Sequence, residues 1–254
     1  NVGVGNYTMD AAMDGALSNT AVGYNALSAL TTGDNNVAIG KGAGAAKTGT
    51  SHDTLIGVGA GQGLSGGDAY NVAVGYAALY YGGSNASNIA IGPLAMYGTS
   101  GTKNAIRNVA IGQSAFQTLD TGDYNVGIGY KAGEANDNSQ NTFVGYEAAK
   151  ASTGSATVAI GYHALTALTS GEGNVAIGYK ALFTETLGDK NTAVGYEALM
   201  TCGGRDGDAM NTAVGYQAAR LQQEAQNTVA IGHLALAALD DGGSNTAVGS
   251  HSMS

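Results

Sequence analysis

One nine-residue phrase, Asn-[Val/Thr]-Ala-[Val/Ile]-Gly-Tyr-x-Ala-Leu, recurs fifteen times along the 254 residues, and this periodicity limits what the chain can fold into. Its glycines fall at Gly5, Gly23, Gly40, Gly57, Gly75, Gly92, Gly112, Gly129, Gly145, Gly161, Gly178, Gly195, Gly215, Gly232 and Gly249, with gaps of 16 to 20 residues. That period is too short for a helical-hairpin repeat and suits one turn of a β-solenoid, in which each unit buries its apolar surface only against its neighbours.

With the slots numbered 1 to 9 from the asparagine, slot 2 is Val, Ile or Thr and slot 4 is Val or Ile in all fifteen copies. β-branched residues at period two mark a strand with one packed face, so slots 2 and 4 are expected to line the core. Slot 3 points the other way and is Ala or Gly in thirteen copies, with Leu55 and Phe143 the exceptions, which predicts close approach of another surface on that side. Ala176 and Ala193 are then expected to face a sister chain. The invariant slot 5 glycine predicts a bend where φ is positive or a Cβ would clash. Slots 6 to 9, with Tyr at slot 6 in eight copies and Ala at slot 8 in thirteen, read as a second short strand followed by a polar loop.

Slot 1 is Asn in twelve copies, with Asp53, Thr157 and Thr228 in the others. Stacked coils would set these side chains in a ladder that hydrogen-bonds along the stack and satisfies backbone groups at a corner.

The phrases Asn36-Val-Ala-Ile-Gly40, Asn174-Val-Ala-Ile-Gly178 and Asn227-Thr-Val-Ala-Ile-Gly232 resemble the head repeat of trimeric autotransporter adhesins of the YadA type. The variant at Asn191 to Leu199 is similar to repeats of bacteriophage tail-fibre proteins, and the tyrosine after the glycine and the longer loops lean toward that fibre form. The resemblance spans essentially the whole chain. It implies an all-β fold, a left-handed parallel β-roll of about fifteen coils, assembled as a homotrimer. Residues 1–254 are then a single solenoid domain, and the opening inside a repeat at Asn1 is expected of a segment of a longer fibre.

Composition supports a rod. With 42 Gly, one Pro, three Phe and no Trp there is little bulk for a conventional core, so burial of small-residue faces against identical chains would compensate. The net charge is −9 and the ten basic residues form no run, which argues against nucleic acid or anionic lipid as partners. No apolar stretch approaches the ~20 residues needed to span a bilayer, so membrane insertion by this segment is not expected. Cys202 is the only cysteine and sits in the loop Met200 to Met210; it reads as an idle thiol or, second, as a link between chains.

No catalytic, cofactor-binding or metal-ligating residue is expected. His52, His163, His233 and His251 lack metal-ligand spacing, and Gly57 to Gly63 lacks the Gly-Lys-[Ser/Thr] ending of a phosphate loop. Asp34, Asp68, Asp123, Asp189 and Asp208, just before slot 1, are expected to serve turn chemistry rather than calcium.

Two arrays are candidates for binding. Slot 7 runs Lys131, Glu147, His163, Lys180, Glu197, Gln217 over six consecutive coils, a charge ladder expected to place Glu147 between Lys131 and His163, and Lys180 beside Glu197. The two gaps of 20 residues lengthen the loops Tyr97 to Arg107 and Met200 to Met210, which carry Tyr97, Lys103, Arg107 and Arg205. Both arrays also have bland readings, as a self-compensated solvated face and as loops whose length has drifted. The expected function is a non-enzymatic trimeric fibre, extracellular, projecting from a virion or cell and attaching to a cell-surface glycan or protein receptor. A purely structural shaft is the competing reading, and a polysaccharide depolymerase would need a carboxylate pair that the ladder does not supply.

Overall fold

A computed structural model describes residues 1–65, 69–83, 85–99, 104–202, 207–222, 226–239 and 242–253. Among these the chain is all-β with no helix, a parallel β-solenoid of about thirteen turns. It divides into two compact units, Asn1–Ile128 and Gly129–Ser254.

Each phrase contributes one three-residue strand from slots 2 to 4. In the first unit these run from Val2–Val4 and Thr20–Val22 to Val126–Ile128, each paired in parallel with the next in unshifted register, as Val37↔Thr54, Ala38↔Leu55 and Ile39↔Ile56. The second unit repeats the pattern from Thr142–Val144 to Thr246–Val248, with Val175↔Thr192, Ala176↔Ala193 and Ile177↔Val194. Stacking identical slots is what fixes the register, since a one-residue slip would turn every side chain over.

The strand faces are the reverse of the sequence expectation. Slot 3 points inward: Ala21, Ala38, Ala73, Ala176 and Ala193 are fully buried within their own chain. Slots 2 and 4 point outward, and Ile39, Ile56, Ile91, Ile160 and Ile231 stand 36–40% exposed. The physical reason is the width of the lumen. A coil of about seventeen residues leaves room for only small inward side chains, and the slot 8 alanines such as Ala43, Ala60 and Ala164 are as fully buried as those of slot 3. Larger core residues are matched by glycines. Leu55 at slot 3 fits because slot 9 is glycine both in the preceding coil, Gly44, and in its own, Gly61, where an added Cβ would lie 2.9 and 2.7 Å from its methyls. Gly127 likewise makes room for Phe116, whose ring would lie 2.5 Å from a Cβ.

Slots 6 to 9 form a turn rather than a second strand. The slot 8 N–H donates back to the slot 5 carbonyl, as Ala26 to Gly23 at 3.4 Å, while slots 7 and 9 sit in the left-handed region, as Asn25 at φ 58° and Leu27 at φ 48°. Non-glycine residues pay roughly 1–2 kcal/mol for that conformation. Bonds to the adjoining coils offset it: Asn25 N–H donates to the Asn6 carbonyl at 3.1 Å and Leu27 N–H to the Ala43 carbonyl at 3.0 Å. Slot 5 glycine is required twice over. Gly145 has φ 142°, and a Cβ there would lie 2.3 Å from the Gly161 carbonyl oxygen.

The slot 1 ladder forms as expected. Asn36 is buried; its N–H donates to Asn19 Oδ1 at 2.9 Å, its own Oδ1 accepts from Asp53 N–H at 3.0 Å, and its Nδ2 donates to the Thr50 carbonyl at 2.8 Å. In the second unit the Asn191 N–H donates to Asn174 Oδ1 and the Asn211 N–H to Asn191 Oδ1, at 2.9 and 3.0 Å.

The register position three residues after slot 9 also faces the core. It holds leucine at Leu30, Leu64, Leu119 and Leu168, but the buried polar residues Lys47, Asn136, Ser152, Glu185 and Gln222 occupy it elsewhere. In the second unit, some loop segments become strands: Thr201–Cys202, Leu221–Gln222 and Ala238–Leu239 pair in parallel, as do Gly188–Asp189 and Gly207–Asp208.

Candidate functional site

The slot 7 ladder lies wholly in the second unit, and its charges pair differently from the sequence expectation. Lys131 turns to Glu134 of its own coil at 2.9 Å instead of reaching Glu147. That bond is the main reason the Lys131 ammonium titrates above its ordinary value. Glu147 takes Lys150 at 3.2 Å on Oε1 and approaches His163 Nδ1 at 3.6 Å through Oε2, so the expected Glu147–His163 neighbourhood holds. His163 Nδ1 also lies 3.3 Å from Thr166 Oγ1, and its ring stands edge-on to Tyr162 with centroids 4.2 Å apart. Lys180 sits over rings, 5.3 Å from Tyr179 and 5.1 Å from Phe183. Glu197 pairs with Arg220 at 2.9 Å and accepts from Gln217 Nε2 at 2.8 Å. Surface pairs of this kind are screened by solvent and contribute little to stability, and their chemical effect is neutralisation of the face.

Beside this ladder runs one of aromatic rings. From Tyr130 through Tyr146, Tyr162, Tyr179, Tyr196 and Tyr216 to His233, successive rings stack with centroids 4.8–5.5 Å apart. The one-coil repeat imposes this spacing, which suits offset stacking. Desolvation among the stacked rings, followed by the Glu197 charge, raises the pKa of Tyr196.

The long-loop candidates are not drawn together. Lys103 and Arg205 lie outside the described residues. Tyr97 joins an aromatic cluster, stacked on Tyr80 at 5.3 Å and edge-on to Tyr81 at 5.1 Å. A hydrogen bond with Tyr81, then burial, holds its hydroxyl pKa above the ordinary value. Arg107 is occupied by the next coil, donating to the Tyr124 hydroxyl at 2.6 Å with its guanidinium 5.5 Å from the Tyr124 ring centroid.

Turn chemistry accounts for the described loop carboxylates. Asp34, Asp123 and Asp189 each accept a backbone N–H from the preceding coil, from Leu17, Ile106 and Glu172, at 2.7–2.8 Å. The Asp68 and Asp208 side chains lie outside the described residues. Among the described residues no three His, Cys, Asp or Glu side chains gather in a metal-binding arrangement.

Three features escaped the sequence reading. The first is the fully buried ion pair of Lys47 with Asp53, where an acid stands in the asparagine ladder. Asp53 Oδ1 still accepts from the Asn71 N–H at 2.7 Å, but a carboxylate lacks the donor that Asn36 aims at a loop carbonyl, and Lys47 supplies one. The signal was an acid at slot 1 together with a lysine at a register position otherwise often leucine. The second is the surroundings of Cys202, which is buried; burial, then Glu185, pushes its thiol far above the usual range. Glu185 Oε1 itself accepts the N–H groups of Thr186, Leu187 and Gly188 at 2.9, 3.1 and 2.7 Å. A disulfide between chains through Cys202 is disfavoured by that burial.

The third is a cleft of about 340 Å³ in the first unit, where the slot 6 rings are interrupted. Slot 6 there reads Tyr24, Lys41, Val58, Tyr76, and slot 7 is glycine at both interrupted coils, Gly42 and Gly59. A second hollow of about 380 Å³ shares Ala45, Gln62 and Tyr80 with it. No known protein family, curated protein or solved structure matches the chain.

Proposed function

We propose that the chain is a segment of a non-enzymatic, homotrimeric, extracellular fibre, a left-handed roll of fifteen coils that projects from a virion or a cell and attaches it to a surface glycan or protein. The observation that carries the assembly is the outward face of slots 2 and 4. In the first unit it exposes Val2 and Val4 at 58%, Ile39 at 40% and Ile91 at 37%, and in the second Ile160 at 37%, Ile231 at 40% and Val248 at 66%. Soluble monomers rarely expose contiguous apolar surface beyond a few hundred Å². Sister chains docking through equivalent faces would cover it, and a rotational trimer would cover it on every copy.

Sedimentation equilibrium tests the assembly: a mass near three times 25.1 kDa supports it, and a stable folded monomer removes it. Ile39→Lys should shift the species toward monomer with the β-sheet circular dichroism retained. Attachment is tested by binding of the purified fragment to candidate host cells. A structural shaft is favoured for the second unit by its slot 7 face, where Lys131, Lys150 and Arg220 are each neutralised by a carboxylate of the same chain.

A further inference from the structure

The cleft of the first unit differs from the rest of the described surface in three respects at once. Tyr24 and Tyr76 flank the two coils in which slot 6 carries Lys41 and Val58, so two rungs of ring are replaced by space, a lysine and a small aliphatic group. Three coil steps of about 4.8 Å separate the flanking tyrosines by about 14 Å. The volume of about 340 Å³ lies within the range of small-ligand sites, roughly 300–1,000 Å³.

The floor is the second respect. Gly42 and Gly59 are the only glycines at slot 7 in the fifteen phrases. Where slot 6 is Pro93, slot 7 is Leu94, a bulky side chain where the cleft has none. A Cβ on Gly59 would lie 3.0 Å from Tyr80 Cε2, so the missing side chain is what lets that ring lean in as a third aromatic wall.

The third is Lys41. Every other described lysine or arginine has an ion-pair, hydrogen-bond or ring partner: Lys47, Arg107, Lys131, Lys150, Lys180, Lys190 and Arg220. Lys41 lines the cleft with none of these. The side-chain amides of Asn25 and Gln62 line it too, and neither has a hydrogen-bond partner among the described residues.

Exposed tyrosine faces pack against the C–H faces of sugar rings, unpaired amides serve hydroxyls, and an unpaired ammonium in a chain of net charge −9 selects a localised anion rather than a polyanion. We propose that this cleft binds a carboxylated saccharide about two pyranose rings long, with a ring on Tyr24 or Tyr76 and the carboxylate on Lys41. The site goes beyond the attachment reading, because a shaft with no host receptor could carry it.

The test uses isothermal titration calorimetry and saturation-transfer NMR on the purified assembly, with sialyllactose and a hexuronate disaccharide as the two acidic probes and lactose as the neutral one. At least one acidic probe should bind, with lactose about tenfold weaker or undetectable. Lys41→Gln should weaken the acidic probe by about tenfold and leave lactose unchanged. Lys41→Tyr/Val58→Tyr restores the ordinary slot 6 residue at both coils, so it should fold as wild type while abolishing binding. No binding of either acidic probe, equal binding of lactose, or binding undiminished in the tyrosine-refilled variant overturns the proposal. Saccharide binding without attachment to cells leaves the cleft standing and removes the attachment reading; attachment with no saccharide binding does the reverse.

Discussion

The buried Lys47–Asp53 pair gives the sharpest quantitative prediction. Both side chains are fully buried, and Asp53 also accepts from the N–H and Nδ2 of Asn71 at 2.7 and 3.2 Å. Removing one member of a buried pair strands the other charge in the core, at a cost of about 3–5 kcal/mol, whereas replacing both with well-packed neutral residues is often neutral or stabilising by about 1–4 kcal/mol. The neighbouring coils define that replacement, since they carry Leu30 with Asn36 and Leu64 with Asn71. Lys47→Leu and Asp53→Asn should therefore each lose about 3 kcal/mol or more at pH 7, roughly a hundredfold or more in the folding equilibrium. Lys47→Leu/Asp53→Asn should return to within about 1 kcal/mol of wild type or exceed it. Urea denaturation followed by far-ultraviolet circular dichroism at one fixed protein concentration measures all four corners of the cycle. Single variants that each lose under about 1 kcal/mol, or a double variant whose loss equals their sum, would refute the reasoning.

Other substitutions separate the remaining arguments. Gly145→Ala combines a φ of 142° with a Cβ 2.3 Å from a carbonyl oxygen, so it should lose more than about 3 kcal/mol or fail to fold. Gly173→Ala, at φ 66° with its nearest contact at 3.6 Å, should lose only about 1 kcal/mol in thermal or urea melts. Ala176→Leu overfills the lumen and should destabilise each chain by about 1–3 kcal/mol or more whatever its oligomeric state, in contrast to the surface variant Ile39→Lys. Cys202 should stay unreactive to a thiol reagent at pH 8 in the folded protein and react fully in denaturant, because burial and Glu185 both oppose its thiolate; prompt labelling of the native protein contradicts this placement.

The period, the slot 5 glycine and the asparagine ladder were legible because each answers to a local requirement: a left-handed φ, a close backbone approach, a buried corner. Which strand face is inside was not. Period-two alternation says that Val37 and Ile39 share a face and leaves its direction open, and β-branched bulk pulls the inference inward. The corrective signal lay in two slots taken together, since Ala38 at slot 3 and Ala43 at slot 8 are both small, as a narrow lumen demands. Slots 6 to 9 misled similarly, because alternation of Tyr24 and Ala26 mimics a strand while every second residue is left-handed. In the charge ladder, coil order was legible but rotamer choice was not, so Lys131 found Glu134 in its own coil. The cleft required knowing that slots 6 and 7 share the outer surface, without which the Lys41-Gly42 and Val58-Gly59 interruptions pass for drift.

Unshifted pairing, as between Val175 and Thr192, means that excising residues 175–191 would join Asn174 to Thr192 and leave each following slot beside its own kind. Copy number is thus a free parameter within a unit: unequal recombination between phrases can lengthen or shorten it without an intermediate that misfolds. Selection can then tune reach through plain coils such as these, whereas the cleft-bearing coils, tied together by Leu55 with Gly44 and by Lys47 with Asp53, must be inherited as a block.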